Sequence, residues 1–226
     1  MPRLNVMQDI LQANTGVAGA LRARFAADGT LVLNLIASPG AGKTSLLEHT
    51  VAALKGEFAL GVVEGDLATA LDAERIARHG VPAVQINTDG GCHLEAQQVE
   101  AALRRLPEGR LDLLAVENVG NLVCPTGFDL GEDLKIVIVS LTEGDDKPLK
   151  YPGAFTTAGA LVINKIDLAP YLPASVEALR ANALTINPNL SVFEVSCTSG
   201  AGLESWIAWV RAQIGEKQAQ SRAAHA

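Results

Sequence analysis

Residues 37–44 carry groups that can bind phosphate. They read Ala-Ser-Pro-Gly-Ala-Gly-Lys-Thr, follow the compact apolar run 31–36 and precede a helical pattern. Glycines there let backbone N–H groups turn inward around a β-phosphate, and the helix N-terminus adds the positive end of its dipole. Lys43 can reach the β- and γ-phosphates, while the Thr44 hydroxyl can bind Mg²⁺. This combination predicts a P-loop.

The alternative interpretation of this segment is a glycine-rich strand-to-helix turn with an incidental Lys-Thr pair. Its first position also departs from the usual glycine, because Ala37 stands there. The apolar strand before it and the helix after it favour the P-loop. The residues predicted to surround the phosphates are Gly40, Ala41, Gly42, Lys43, Thr44 and Ser45.

An Asn-Lys-x-Asp motif, formed by Asn164, Lys165 and Asp167, ends a later apolar run. A carboxylate at its last position can accept hydrogen bonds from guanine N1–H and the exocyclic amine, whereas adenine presents a lone pair at N1. Each such charged hydrogen bond contributes roughly 1.5–3 kcal/mol, which is enough for strong discrimination. The Lys165 stem can lie against the base, and Asn164 can brace the surrounding loops. Alone, the motif fits a polar turn equally well.

A further loop favours guanine as the base. Ser196-Cys197-Thr198 follows the last predicted strand and resembles the turn whose backbone contacts guanine O6 in GTPases. We therefore expect Ser196 and Cys197 to contribute to a base site. The P-loop, the Asn-Lys-x-Asp motif and this turn together predict GTP and GDP as ligands and argue against adenylate-type kinases and ATPases.

Carboxylates after two predicted strands are candidates for holding Mg²⁺, which prefers oxygen ligands. Asp66 follows the second strand, and Glu117 ends the fourth, where most GTPases carry Asp-x-x-Gly. The carboxyl ends of such strands face the phosphates. We expect Asp66 to bind the metal or position water, whereas Glu117 could also be a solvated strand end. The predicted catalytic residues are Lys43, Thr44, Asp66 and Glu117, of which the last three would bind Mg²⁺.

Asp72 and Arg75 lie on the predicted helix that follows Asp66. They belong either to a segment that moves with the nucleotide or simply to the solvated face of that helix. The pattern alone favours the solvated face, because charged residues on a helix usually face water.

Two cysteines and a histidine occur in loops that should leave the same edge of the sheet. Cys92 and His93 follow the third predicted strand, and Cys124 follows the fourth. Cys92 is predicted near a helix N-terminus, where the dipole favours the metal-binding thiolate. Two sulfurs and one imidazole suit Zn²⁺ or Ni²⁺, and three protein ligands leave a position open. The alternative is a structural role, because adjacent Cys-His has no standard zinc-finger spacing.

Composition and charge define the class of protein. Apolar residues make up 48% of the 226 residues but aromatic residues only 4%, so the core must consist of small and branched aliphatic side chains. Such cores are typical of α/β proteins with buried parallel strands. The net charge of −7 argues against binding to nucleic acid or to an anionic membrane. With three cysteines, no apolar run that spans a membrane and no signal-peptide pattern, we expect a cytoplasmic protein.

Alternating strand and helix patterns predict a single GTP-binding domain over residues 1–226. It would comprise a leading helix at about 5–27, a G domain at about 30–215 and a frayed polar tail at about 216–226. The fold class is α/β, a doubly wound and mostly parallel sheet of the P-loop NTPase type. Strands are predicted at 31–36, 58–64, 83–86, 111–117, 134–141, 160–164 and 191–195, with helices at 45–55, 67–78, 94–106, 174–184 and 203–214.

The chain resembles HypB, the family of GTPases that incorporate nickel during hydrogenase maturation. Its most diagnostic segments are 117–125 and 142–152, which no general GTPase rule demands. The resemblance implies that Cys92, His93 and Cys124 bind Zn²⁺ or Ni²⁺ near a GTP-dependent dimer interface. The other shared segments are 38–44, 64–67, 91–94, 164–167 and 202–206.

The resemblance also implies a function and partners. The chain would be a metallochaperone GTPase that couples nickel release to its GTP cycle. Because the sequence shows no obvious arginine finger, we also expect slow intrinsic hydrolysis. Its partners would be a second copy of the chain, a HypA-type nickel-binding protein and the hydrogenase large-subunit precursor. Many relatives carry an N-terminal Cys-x-x-Cys-Gly-Cys motif or a histidine-rich stretch. The sequence has neither, so a separate tight nickel site is not expected.

Two other functions remain open at this point. One is a GTPase of another metal-cofactor pathway, such as the urease accessory protein, whose usual Cys-Pro-His motif is absent from the sequence. The other is a non-enzymatic regulatory module that binds GTP as a structural ligand and keeps its cysteines in the core. Turnover together with stoichiometric metal binding would distinguish the metallochaperone from this module.

Overall fold

The computed structural model describes residues 6–66 and 71–225. Its strands are β1 (Leu31–Ala37), β2 (Leu60–Asp66), β3 (Ala83–Asn87), β4 (Leu113–Glu117), β5 (Leu134–Ser140), β6 (Ala158–Asn164) and β7 (Ser191–Glu194). They form a central seven-stranded sheet in the order β3-β2-β4-β1-β5-β6-β7, and every neighbouring pair is parallel. This confirms the predicted doubly wound α/β fold.

Helices cover both faces of the sheet, which explains why β1 is buried along its whole length. The helices are α1 (Val6–Asp28), α2 (Lys43–Leu54), α3 (Leu71–Ala77), α4 (Ala96–Leu103), α5 (Lys147–Lys150), α6 (Pro152–Thr156), α7 (Val176–Ile186) and α8 (Leu203–Ala224). Leu33 and Leu35 on one face pack with α2, α3 and α8, whereas Val32 on the other packs with α1 and α4. Ile36 packs with α6 and α7.

The strand order determines where a ligand can bind. β1 lies at the centre, with β4 on one side and β5 on the other, so the loops after β1 and β4 leave the same edge of the sheet. In open α/β sheets, ligands bind at the carboxyl ends of the strands near such a point. The predicted phosphate, magnesium and Cys/His loops all leave this edge.

Two predicted helices differ from the structure. For the helix predicted at 67–78, residues 67–70 lie outside the described residues, and the described part is α3, which ends at Ala77. The helix predicted at 94–106 is shorter at both ends, because α4 spans only Ala96–Leu103. Glu95 precedes it, and its backbone N–H is bound by the side chain of Gln98.

The C-terminal segment is helical where fraying was predicted. α8 continues to Ala224, since polar side chains of its last turns bind residues at the end of α1 and just before β5. Lys217 Nζ lies 2.5 Å from Asp133 Oδ1, and the Ser221 hydroxyl donates to a backbone carbonyl at the end of α1 at 3.0 Å. Over the residues that the structure describes, α8 and the other helices are too short or too polar to cross a membrane.

Candidate functional site

A cleft of about 480 Å³ opens at the carboxyl ends of the strands. Its lining comes from the loop after β1, the ends of β2, β4 and β6, and the turn after β7. Most of the residues predicted to contact a nucleotide line it, namely Gly40, Gly42, Lys43, Thr44, Ser45, Asp66, Glu117, Asn164, Lys165 and Cys197.

The loop after β1 has the backbone that a P-loop needs. Gly40 and Gly42 have φ angles of 75° and 101°, in the region that favours glycine. A Cβ on Gly42 would lie only 2.3 Å from Asn164 Nδ2, so a side chain cannot be accommodated there. α2 begins immediately afterwards at Lys43, whose side chain is buried together with that of Thr44. Backbone N–H groups at this helix start suit a phosphate.

Asn164 joins the three loops expected to surround the nucleotide. Its Nδ2 donates to the carbonyl of Ala41 at 2.9 Å, and its Oδ1 accepts from the N–H groups of Lys165 at 2.8 Å and Cys197 at 3.2 Å. Lys165 Nζ adds a bond of 2.8 Å to the carbonyl of Gly40. The bracing role predicted for Asn164 therefore has a direct structural basis.

Three of the predicted nucleotide residues do not line the cleft. Ala41 is buried behind the P-loop. Ser196 is also buried, and its hydroxyl accepts from the N–H of Ser199 at 3.1 Å, so it shapes the turn from within. Asp167 lies exposed in a 3₁₀ turn after β6, beyond the lining of the cleft.

Glu117 and Thr44 meet at the floor of the cleft. The Thr44 hydroxyl donates to Glu117 Oε1 at 2.9 Å, and Lys43 Nζ lies 3.9 Å from the same oxygen. Burial raises the pKa of Glu117, while Lys43 and hydrogen bonds from Glu64 and the Thr44 hydroxyl oppose that rise. Glu117 is thus buried and not the solvated strand end considered as the alternative.

Asp66, Asp72 and Arg75 all line the cleft. Arg75 donates to the carboxylates of Glu48 and Asp72 and to the hydroxyl of Ser45, the last at 3.2 Å. The expectation that this face of α3 is simply solvated is therefore wrong. The guanidinium lies where the helix meets the P-loop.

The predicted metal ligands come together in space. One ligand atom from each of Cys92, His93 and Cys124 lies within 4.8 Å of the others. Cys92 Sγ is 3.5 Å from His93 Nδ1. The loops after β3 and β4 bring them together, as expected from strands that end at one edge.

The surroundings of the cluster differ from the prediction in one respect. α4 begins four residues after Cys92, so the helix dipole does not act directly on that thiol. A hydrogen bond with Cys124 raises the pKa of Cys92. Burial lowers the pKa of His93 and favours the neutral imidazole that binds metals. Its ring packs on Phe128, with the ring centroids 3.7 Å apart.

Comparison with known proteins identifies the family. A family model described as CobW/HypB/UreG, nucleotide-binding domain, matches residues 31–194. The hydrogenase maturation factor HypB of Azotobacter vinelandii is 52% identical over 214 residues, which cover 95% of this chain and 71% of that protein. The chain belongs to the HypB family. The resemblance inferred from the sequence motifs is thereby confirmed.

Solved structures of HypB proteins have the same fold. HypB from Archaeoglobus fulgidus has a TM-score of 0.85 at 39% identity, covering 90% of this chain and all of that one. HypB from Helicobacter pylori in complex with nickel has a TM-score of 0.85 at 38% identity, covering 91% of this chain and 97% of that one. Both structures therefore match the P-loop NTPase fold of this HypB-family chain over most of its length.

Sequence reasoning missed two residues that shape the sites of this HypB-family chain. Glu64 on β2 lies directly opposite Glu117 on β4. Burial and the neighbouring Glu117 raise the pKa of Glu64, so it holds a proton at neutral pH. Phe128 forms one wall beside His93. The register of two strands that are not consecutive could have revealed Glu64, but no motif marks Phe128.

Proposed function

We propose that the chain is a GTP-hydrolysing metallochaperone that binds Ni²⁺ or Zn²⁺ and assists nickel insertion into hydrogenase. The observation that carries this proposal is the cluster of Cys92, His93 and Cys124, whose ligand atoms lie within 4.8 Å at the same sheet edge as a P-loop cleft. Membership of the HypB family and the fold shared with a nickel complex of a relative support it.

GTP would bind with its phosphates on the P-loop and its base near the loops that Asn164 joins. Lys43 would stabilise negative charge on the β- and γ-phosphates, since it is a buried cation at the cleft floor. Asp167 would accept the two guanine donors, and the backbone of Ser196 and Cys197 would contact guanine O6. Asn164 would hold these loops at a fixed separation.

Mg²⁺ fits the oxygen groups at the cleft floor. The Thr44 hydroxyl and the carboxylates of Asp66 and Glu117 all line the cleft and are the hard donors that this ion prefers. Bound Mg²⁺ neutralises charge on the phosphate oxygens. Asp66, at the end of β2, would position the ion or the attacking water.

We infer that intrinsic hydrolysis is slow. Arg75 lines the cleft, but Glu48, Asp72 and Ser45 hold its guanidinium, so it does not act as an arginine finger in this arrangement. GTPases without such a cation hydrolyse GTP slowly until a partner supplies it. Slow turnover suits a switch that waits for a partner protein.

The metal would be cargo and not a permanent structural ion. Two thiols and one imidazole suit Ni²⁺ and Zn²⁺, and three ligands leave a position for water, a receiving protein or a second chain. Cys92 is exposed, so the cluster is accessible from solvent. Such a site suits transient holding better than a closed four-ligand site would.

The proposal includes partners and a compartment. A two-fold dimer favoured by GTP would let two chains share thiolates and complete the coordination. A HypA-type nickel-binding protein would exchange metal with it, and the hydrogenase large-subunit precursor would receive the nickel. The free thiols Cys92 and Cys124 suit the reducing cytoplasm.

The experiment measures metal stoichiometry and phosphate release on the same preparations. The wild-type protein should bind one Ni²⁺ or Zn²⁺ per chain at this cluster and release phosphate from GTP. Cys92→Ala and Cys124→Ala should each lose that metal while still binding GTP, because both residues lie in loops outside the core. Cys197→Ala is the matched control and should keep the metal. Full metal affinity in either loop variant, or no phosphate release by the wild type, would contradict the proposal.

A further inference from the structure

Asn118 is a buried side chain between the nucleotide cleft and the Cys92–His93 loop. It follows Glu117 at the end of β4, lines the cleft and is 1% exposed. Its Oδ1 accepts from the backbone N–H of Leu94 at 3.1 Å, and its Nδ2 donates to Asn34 Oδ1 on β1 at 3.2 Å. Both ends of the amide are therefore occupied, which fixes its orientation.

The N–H that Asn118 binds belongs to the residue directly after His93. The side chain of Leu94 is fully buried, and a Cβ on Gly65 would lie 2.8 Å from it. Gly65 immediately precedes Asp66. Leu94 is thus held from two sides, by Asn118 after β4 and by Gly65 near the end of β2, and both residues belong to the cleft lining.

The backbone after Asn118 lies against the P-loop. Its Oδ1 also accepts from the N–H of Val119 at 3.0 Å. A Cβ on Gly120 would lie 3.0 Å from the Pro39 ring, so this segment and the P-loop are in close contact. If residues 118–120 shift between the GTP-bound and GDP-bound states, the acceptor of the Leu94 N–H therefore shifts with them.

A second buried asparagine holds the same loop from the opposite side. Asn14 on α1 accepts from the N–H of Ala96 at 2.8 Å and donates to the carbonyl of Asp129 at 2.7 Å. It is 2% exposed and is not part of the cleft lining. Asn14 therefore ties together the chain segments after His93 and after Cys124 without touching the nucleotide side.

We propose that Asn118 is the positioning residue through which the nucleotide state changes the geometry of the metal site. This inference rests on the proposed function, since it requires that the cleft binds GTP and that the Cys92–His93–Cys124 cluster binds metal. The physical basis is that the Leu94 N–H is buried and must keep an acceptor, so it follows Asn118 when the β4 loop moves. Asn14 anchors the far side, so the movement changes the position of His93 relative to Cys124.

The test compares Ni²⁺ affinity of the full chain in two nucleotide states, with GDP and with a slowly hydrolysed GTP analogue. In the wild type the two affinities should differ by about fivefold or more, the lower range of allosteric coupling. In Asn118→Ala the ratio should fall to within about twofold of one, with one Ni²⁺ still bound. Asn14→Ala, the matched control, should change both affinities by the same factor and keep the wild-type ratio.

Three results would overturn the inference and can be told apart. If Asn118→Ala keeps the wild-type ratio of Ni²⁺ affinities, other residues carry the coupling. If Asn14→Ala loses the ratio as fully as Asn118→Ala does, then any loosening of the loop abolishes the coupling and Asn118 has no special role. Equal Ni²⁺ affinities in the two nucleotide states of the wild-type protein would show that the two sites are not coupled. If one Ni²⁺ per chain still binds in that case, the metal site itself is real and only the coupling fails.

A measurement on the wild type avoids dependence on the folding of Asn118→Ala. The backbone amide chemical shifts of Leu94 should differ between the GDP state and the GTP-analogue state, because Leu94 moves together with its acceptor. The amide shifts of Ala96, held by Asn14, should change less. Identical Leu94 amide shifts in the two states would contradict the inference.

Discussion

Glu64 and Glu117 lie directly opposite each other on the adjacent strands β2 and β4, with Glu117 next to the P-loop residues Lys43 and Thr44. Glu117 accepts from Thr44 at 2.9 Å and lies 3.9 Å from Lys43 Nζ. Burial and Glu117 itself raise the pKa of Glu64. Glu64 therefore holds a proton at neutral pH, whereas Lys43 and the Thr44 hydroxyl counteract the rise that burial causes in the pKa of Glu117.

This asymmetry predicts opposite outcomes for two identical substitutions. Glu117→Gln replaces the carboxylate that accepts from Thr44 and lies beside Lys43, and it should lower the rate of GTP hydrolysis by about a hundredfold or more. Glu64→Gln replaces a neutral acid by a neutral amide and should retain most of the wild-type rate. Phosphate release at saturating GTP and Mg²⁺ measures both. Equal loss of activity in the two variants would show that Glu64 is ionised or binds the metal.

Base selectivity should depend on Asp167. In Asp167→Asn an amide replaces the carboxylate, so guanine's two donors lose their acceptor while a xanthine carbonyl gains a donor. Since each charged hydrogen bond contributes roughly 1.5–3 kcal/mol, GTP affinity should fall by about tenfold or more and xanthosine-triphosphate affinity should rise. Asp28→Asn, at the end of α1, is the control. Unchanged GTP affinity in Asp167→Asn would remove this carboxylate from the base site.

The Cys197 thiol should react slowly with alkylating reagents. Burial and the nearby charges of Asp167 and Glu48 raise the pKa of Cys197 to about 11. Because only the thiolate reacts, its rate should rise by about tenfold per pH unit from pH 8 to pH 10. Mass spectrometry of the metal- and nucleotide-free protein should find exposed Cys92 alkylated before Cys197 at pH 8. A rate for Cys197 that levels off below pH 9 would contradict the raised pKa.

The polar end of α8 should contribute to stability. Truncation after Glu216 removes the Lys217–Asp133 ion pair and the hydrogen bonds of Gln218 and Ser221. At about 0.5–1.5 kcal/mol for each bond, the free energy of unfolding should fall by about 2–3 kcal/mol. Removal of only residues 222–226 is the control and should have little effect. Denaturant titration checks both, and equal stability of the two truncations would show that these contacts do not hold the helix.

The parts of the structure that local sequence patterns determine could be predicted. The P-loop of residues 37–44, the alternation of strands and helices and the guanine motif at Asn164 each depend on a short segment with its own chemistry. The proximity of Cys92, His93 and Cys124 needed one further assumption, that parallel strands end at a common edge. That assumption is confirmed by the strand order.

Relationships across the sheet could not be predicted in this way. Glu64 meets Glu117 because β2 pairs with β4, a register that depends on the packing of the whole sheet. Asn118 reaches Leu94 for the same reason. The end of α8 looks disordered by composition, yet Asp112 and Asp133, distant in sequence, bind its polar side chains. Tertiary contacts decide these features, and local propensity does not reveal them.

The most direct test of the account follows nickel during GTP hydrolysis. Protein loaded with one Ni²⁺ and GTP is mixed with a chromophoric chelator, and nickel transfer and phosphate release are recorded together. We expect the rate of nickel transfer to change as GTP becomes GDP, with no such change in Lys43→Ala, which should not hydrolyse GTP. The same transfer rate before and after hydrolysis in the wild type would contradict the coupling of the two sites.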